Sequence, residues 1–289
     1  MPADRLRGDA VAAGVRDDVR ERVAALGERG VVPTLATVLM SDEDSDERFV
    51  KLKHEACEAV GVEGRDVRVN PTAPPERLHG AVERCSADDA VDAVFVQAPL
   101  PEHVPEMGVR TRLGPEKDVD GFHPETLGRL VAGDPTFVPA TTAAVGRLLD
   151  AYGIPVVGRE VVVVGRSSTI GRPLANHLLR RGEGGDATVT VCHSRTSDLA
   201  AHTRRADVLV TAAGVPGLVD GSMLSPGAVV VDVSANRRET DDGVEVVGDV
   251  AFESASEVAS AVTPVPGGVG PVTLACLLEN VVLAAERRA

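Results

Sequence analysis

Glu160-Val161-Val162-Val163-Val164-Gly165-Arg166-Ser167-Ser168-Thr169-Ile170-Gly171 runs directly into Arg172-Pro173-Leu174-Ala175-Asn176-His177-Leu178-Leu179, and the reading of this stretch decides the fold. Consecutive valines predict a strand buried on both faces, the glycine-bounded segment a turn, and residues 172–181 a helix. That order suits a dinucleotide, because backbone N–H groups of the turn and the positive end of the helix dipole hold a pyrophosphate. A second strand, 187–191, leads into Cys192-His193-Ser194-Arg195. An Asp or Glu usually takes the ribose 2′-hydroxyl here; a hydroxyl and a guanidinium suit a 2′-phosphate instead. NADP is therefore the expected cofactor, bound by Gly165, Arg166, Ser167, Ile170, Gly171, Ser194 and Arg195. The span from Gly165 to Gly171 is one residue longer than G-x-G-x-x-G, and Ser167 replaces the middle glycine, so the turn alone would also suit a strand-turn-helix in any parallel sheet.

Outward from this unit, apolar strands are expected at 32–40, 67–69, 93–97, 208–211 and 229–233. Helical patterns occupy 3–29, 45–60, 75–86, 141–152, 198–205 and 271–288. Alternation of the two defines an α/β chain. Two lobes are expected: a substrate-holding α/β lobe of residues 1–140 plus 271–289, to which the last helix returns, and a Rossmann-like dinucleotide lobe of residues 141–270. Residues 263–271, Thr-Pro-Val-Pro-Gly-Gly-Val-Gly-Pro, are too rich in proline and glycine for helix or central strand. They are expected to cross between lobes and to bring backbone against a ligand.

The 289 residues suffice for two hydrophobic cores. A net charge of −14, with one Tyr, five Phe and no Trp, argues against a nucleic-acid surface. No signal-like segment precedes the first helical pattern and no apolar run approaches bilayer length, which points to a cytoplasmic protein without membrane contact. Cys57, Cys85, Cys192 and Cys276 lack C-x-x-C spacing and are read as reduced, buried thiols, not metal ligands.

Within 45–60, Phe49, Lys53 and Cys57 share one helical face. A lysine on such a stripe either snorkels to solvent or, if desolvated, has a lowered pKa and serves as base or proton donor. Gln97 ends a strand where ligands gather in α/β sheets. In Lys117-Asp118-Val119-Asp120-Gly121-Phe122-His123-Pro124 two carboxylates flank a valine before a glycine turn and a proline-started helix. Either carboxylate can cap backbone or grip an amino-heterocycle; calcium would need far more ligands.

Together, Phe49-x-x-x-Lys53 with Ala56-Cys57, Gln97-Ala98-Pro99-Leu100-Pro101, Pro115 to Pro124, Gly165-Arg166-Ser167, Cys192-His193-Ser194 and Pro264 to Pro271 resemble the bifunctional methylenetetrahydrofolate dehydrogenase/cyclohydrolase family over nearly the whole chain. The resemblance implies NADP-linked oxidation of 5,10-methylenetetrahydrofolate to the methenyl form and its hydrolysis to 10-formyltetrahydrofolate, in a homodimer. It assigns Lys53 as the central hydrolytic residue, Gln97 as its hydrogen-bonding partner and Asp120 as the carboxylate on the pterin. Phe49, Pro266, Gly267 and Gly268 are then substrate-binding, and Arg166 and Ser194 take the 2′-phosphate.

The family has Tyr where this chain has Phe49. Stacking on the folate survives, but a hydroxyl that orients Lys53 or relays a proton is lost, which predicts hydrolysis weakened by roughly a hundredfold. Other departures are Asp46 for Ser, Ala98 for Leu, Pro139-Ala140-Thr141-Thr142-Ala143-Ala144 for a Pro-Cys-Thr-Pro-x-Gly signature, and Ser234-Ala235 for Gly-Ile, where the extra side chain in place of glycine is expected to crowd the nicotinamide or shift a loop. Alternatives are an enzyme with both activities, a paralogue acting on another one-carbon or cyclic-amine substrate, and a non-catalytic NADP-binding protein.

Overall fold

A computed structural model describes residues 3–240 and 243–289. The elements begin β1 (Asp4–Arg5), α1 (Asp9–Glu28), β2 (Thr34–Leu39), α2 (Asp44–Glu58), β3 (Glu63–Arg68), α3 (Pro75–Ala87), β4 (Ala93–Val96), α4 (Glu106–Arg110) and α5 (Pro124–Ala132). They continue with α6 (Ala140–Ala151), β5 (Glu160–Val164), α7 (Gly171–Leu179), β6 (Thr188–Cys192), α8 (Leu199–Thr203), β7 (Val208–Thr211) and β8 (Val229–Asp232). β9 (Asn236–Thr240), β10 (Gly243–Val247), α9 (Phe252–Ser256), β11 (Ala261–Val262) and α10 (Val269–Arg288) complete the chain.

Internal contacts divide the chain into two compact units, residues up to 12 with 141–273 and residues 13–140 with 274–289. The first divides from the second inside α1, at the start of α6 and inside α10. Residues 1–140 are thus not one lobe: the first dozen join the dinucleotide unit. Their attachment is a short parallel ladder in which Asp4 and Arg5 oppose Ala261 and Val262. Helix α1 accordingly starts at Asp9, later than the pattern from residue 3 suggests.

The unit of residues 13–140 and 274–289 is built on a three-stranded parallel sheet in the order β3-β2-β4. Every residue of β2 is buried, as a central parallel strand requires. Its cluster of Ala36, Val38, Leu78, Val82, Val94 and Val96 sets the position of β4. Backbone N–H of Gln97 still donates to Val38 O at 2.9 Å, so this side chain stands at the carboxyl edge of the sheet. Arg22 on α1 donates to both carboxylate oxygens of Glu286 on α10, at 2.8 and 2.7 Å. This bidentate pair fixes α10 against α1 within the unit.

The other unit carries a six-stranded parallel sheet in the order β1-β11-β8-β7-β5-β6 and a separate antiparallel hairpin, β9–β10. Strands β5, β7 and β8 form its apolar centre, and α7 buries Leu174 and Leu178. All four cysteines are buried thiols.

One expectation is corrected by α10. By length and hydropathy this helix qualifies as a membrane span, because the polar Glu279 and Asn280 interrupt the apolar run without lowering its average enough. Most of that window is buried in the protein, with Val272, Leu278, Val281 and Val282 inaccessible to solvent, so the apolar surface is used in the core. Helix α10 also begins at Val269, before the expected residue 271. Pro271 fits within its first turn, where a backbone N–H has no helical partner to lose.

Candidate active site

Acidic Asp44, Asp46 and Glu47 occupy the first turn of α2, where the helix dipole favours them. Asp46 is buried and accepts from Ser41 Oγ at 2.6 Å. Two turns on, the Lys53 side chain runs back toward the helix N-terminus, as helical side chains do. Its Nζ lies 3.4 Å from Phe49 O and donates to Gln97 Oε1 at 2.9 Å. Gln97 Nε2 donates to Ala98 O at 2.8 Å, which turns the amide oxygen toward the lysine. The ammonium sits 4.4 Å from the Phe95 ring centroid and 5.8 Å from that of Phe49. Lys53 is therefore not a snorkelling lysine.

Burial lowers the Lys53 pKa from 10.5 to about 8, against the opposing pull of Asp120, Asp46 and Cys57. Burial raises Asp120 to about 7; Asp118 adds to the rise, and the Ala140 N–H and Lys53 hold it back. Lys53 and Asp120 thus both titrate near neutrality, and each favours the charged form of the other. Cys57 is pushed up to about 12 by burial and is inert as a nucleophile at neutral pH.

The two carboxylates of the 118–120 segment divide their roles. Asp118 is fully buried and accepts from the N–H groups of Phe122 and His123, each at 2.8 Å, so it closes the turn. Among the described residues Asp120 accepts a long bond from Ala140 N, 3.3 Å, and it keeps acceptor capacity for a ligand. The segment is held from behind by Asn280, whose Nδ2 donates to Val119 O at 2.7 Å and Val138 O at 2.9 Å. Gly121 adopts φ +69°, and a Cβ there would fall 2.5 Å from Pro139 Cγ. Gly121→Ala is expected to cost about 2 kcal/mol of stability from the left-handed backbone and overlap combined. It is also expected to raise KM for the ligand of Asp120 more than it lowers kcat. Thermal melting with steady-state kinetics checks this; a wild-type melting temperature and KM would refute it.

In the dinucleotide unit, Gly165 has φ +133°, and a Cβ there would lie 2.2 Å from Ala212 O. A Cβ on Gly171 would lie 2.2 Å from Gly165 O. Both glycines are required by close backbone approach. Ser167 replaces the middle glycine for a local reason: Oγ accepts from Ile170 N at 3.1 Å and Gly171 N at 3.3 Å and caps α7 from outside. Beside the turn lies a cavity of about 460 Å³ lined by Gly165, Arg166, Ser167, His193, Ser194 and Ala213. Arg166 and Ser194 are exposed on its lining, and Arg195, next in sequence to Ser194, is exposed too. The cradle, helix N-terminus and basic rim fit a phosphorylated dinucleotide.

Ser234 does not crowd this region. Its Oγ donates to the buried Asp249 at 2.7 Å, so the extra side chain is absorbed by a hydrogen-bond network. Pro266, Gly267 and Gly268 belong to the dinucleotide unit, apart from the unit that holds Lys53, Gln97 and Asp120. There Gly267 O accepts from Gly8 N at 2.9 Å. Sequence reasoning missed Phe95, which shares a strand face with Gln97 by the two-residue period; Asn280, a lone amide in an apolar helix; and Asp249, which no motif marked.

The description "tetrahydrofolate dehydrogenase/cyclohydrolase, catalytic domain" matches residues 6–120, and the corresponding NAD(P)-binding domain matches residues 139–289. The bifunctional protein FolD of Natronomonas pharaonis is 53% identical over 281 residues, covering 96% of this chain and 95% of that protein. The crystal structure of bifunctional FolD from Campylobacter jejuni superposes with a TM-score of 0.93 at 38% identity, covering 99% of this chain and 100% of that one. The Trypanosoma brucei dehydrogenase-cyclohydrolase, complexed with NADP and inhibitor, gives a TM-score of 0.93 at 37% identity, with 99% and 98% coverage.

Proposed function

The chain belongs to the tetrahydrofolate dehydrogenase/cyclohydrolase family, and from that premise we propose how its residues divide the work of the two reactions. It is an NADP-dependent methylenetetrahydrofolate dehydrogenase with an associated cyclohydrolase step. The observation that carries the residue assignment is the 2.9 Å Lys53–Gln97 hydrogen bond within electrostatic reach of Asp120. Bound NADP supplies the hydride acceptor. The turn at Gly165–Gly171 and the N-terminus of α7 hold its pyrophosphate, with Arg166, Ser194 and Arg195 at the 2′-phosphate. The protein contributes orientation, since hydride transfer between two held partners needs little proton chemistry.

For the hydrolytic step, neutral Lys53 takes a proton from the water that adds to the methenyl carbon. The resulting ammonium returns that proton to N5 as the C–N5 bond breaks, while the carbinol hydroxyl releases its own proton to solvent as the C=O bond forms, leaving the formyl group on N10. Gln97 holds the amine in place through both transfers. Phe49 offers its ring to the folate, and ionised Asp120 accepts hydrogen bonds from the amino-heterocycle. A homodimer in the cytoplasm belongs to the same proposal and is testable by analytical ultracentrifugation.

The test combines purified protein, 5,10-methylenetetrahydrofolate and NADP, with NADPH and methenyl followed together, a no-enzyme hydrolysis control and a parallel NAD reaction. NADPH formation with NADP in preference to NAD is expected; its absence would overturn the assignment.

The pKa directions separate the two activities. Oxidation requires ionised Asp120, so its kcat/KM is expected to rise with pH through about 7. Hydrolysis also requires neutral Lys53 and is expected to continue rising through about 8. Parallel pH–rate profiles check this, and coincident midpoints below pH 6 would contradict both assignments.

A further inference from the structure

Asp249, two residues after β10, is fully inaccessible to solvent. Its Oδ2 accepts from Ala213 N at 2.6 Å, Gly214 N at 3.2 Å and Ser234 Oγ at 2.7 Å. Its Oδ1 accepts from Val215 N at 2.8 Å and Asn236 Nδ2 at 2.9 Å. Five donors therefore converge on one carboxylate from two segments: the loop after β7, and residues 234–236 that lead from β8 into β9.

Three successive backbone N–H groups turned to one point form an anion-binding nest. Here the nest is filled by the protein's own carboxylate. The same loop walls the dinucleotide cavity, with Ala213 and Val215 facing it across from Gly165 and Arg166. Ala212 O closes against Gly165, leaving no room for a side chain between them. We infer that Asp249 is a positioning residue for NADP: it fixes the 213–215 wall of the cofactor cavity and, by occupying that loop's N–H groups, confines the cofactor's phosphates to the 165–171 turn.

The physical logic is one of exclusion as well as support. A free nest beside the cavity would compete for the pyrophosphate or draw in another anion. With Asp249 in place the loop presents carbonyls and apolar side chains, a surface suited to the nucleoside parts of the ligand. Ser234 adds a second tie, since its Oγ also accepts from Gly214 N at 3.4 Å. These two hydrogen bonds explain why the Ser234 hydroxyl is accommodated here.

The inference rests on the dinucleotide reading of that cavity, and the two can fail separately. Asp249→Asn keeps the shape but sets an amide N–H₂ against backbone donors. It is expected to weaken NADPH binding by roughly tenfold or more, on the scale of one charge-assisted hydrogen bond. Fluorescence titration of NADPH, which involves no folate chemistry, reads this directly; tetrahydrofolate affinity by calorimetry without cofactor is expected within roughly twofold of the parent, because Asp249 belongs to a different unit from Lys53, Gln97 and Asp120. In Asp249→Ala, added formate is expected to refill the nest and recover NADPH affinity, a rescue that a general loss of packing would not give. If Asp249→Asn does not fold, Ser234→Ala, which removes one donor to Asp249 and a long acceptor contact to Gly214 N–H, is expected to weaken NADPH binding by roughly threefold. Parent-like NADPH affinity in a folded Asp249→Asn, or in Ser234→Ala where that variant carries the test, overturns the inference. Failure of the parent protein itself to bind NADPH overturns the dinucleotide reading along with it.

Discussion

Lys53→Met is expected to reduce hydrolysis of 5,10-methenyltetrahydrofolate by roughly a thousandfold while NADP-linked oxidation stays within roughly tenfold of the parent. The split follows from chemistry: water addition and C–N cleavage both move protons, whereas hydride transfer needs only the two reactants held in line. The variant is also expected to melt no lower than the parent. Bringing Lys53 from 10.5 to about 8 corresponds to about 3 kcal/mol of penalty on the buried ammonium, and methionine of similar length removes it. The loss of Gln97's partner offsets part of that gain, about 1–2 kcal/mol.

Linkage gives the sign of each contribution. Asp120, raised from 3.8 to about 7, favours the folded state below 3.8 and loses that contribution as pH rises to about 7. Lys53 is lowered, so its ammonium penalises folding in full below about 8 and is relieved only as pH climbs toward 10.5. Between these limits, near pH 7 to 8, both penalties stand together, and that is where the site works. Removing the lysine also removes a cation that favours ionised Asp120. In Lys53→Met the oxidation profile is therefore expected to move to higher pH. Stopped-flow absorbance for both reactions, with calorimetric melting, measures all three effects; equal losses in the two activities would show that Lys53 positions substrate instead of moving protons.

The parts of this architecture legible in the sequence are those whose surroundings are uniform. β5 and β7 read as apolar runs because they are covered on both faces, and the Gly165 turn because backbone crowding dictates glycine. β3 was visible only at 67–69, since its edge position exposes much of Glu63–Arg68 and charged side chains mask the alternation. The β9–β10 hairpin left no signal for the same reason, with nearly all its side chains exposed. At the site, helical spacing found Phe49, Lys53 and Cys57 on one face. It could not decide between snorkelling and burial, because that depends on Phe95 and Gln97, which arrive from β4 more than forty residues away. Asp118 and Asp120 were equally ambiguous until backbone direction gave one a turn to close and left the other open.

Phe49→Tyr is expected to raise the hydrolytic rate by roughly a hundredfold, with NADP-linked oxidation unchanged within roughly twofold. The ring of Phe49 is half-exposed, so a para-hydroxyl is added without displacing core atoms. Lys53 lies 5.8 Å from the ring centroid and 3.4 Å from the residue's own carbonyl, which places the amine alongside the ring on the same helical face. A phenolic hydroxyl there adds a hydrogen-bonding group beside Lys53, through which the attacking water can be oriented and a proton relayed. In the present chain Lys53 has instead the Gln97 hydrogen bond and the charges of Asp120 and buried Asp46 acting on it. The measurement is methenyl accumulation during turnover with NADP. In the parent, methenyl is expected to build up alongside NADPH; in Phe49→Tyr it is expected to pass on to the formyl product as fast as it forms. A change smaller than threefold would mean that these existing neighbours already supply what the hydroxyl provides, and that the phenylalanine carries no penalty for hydrolysis.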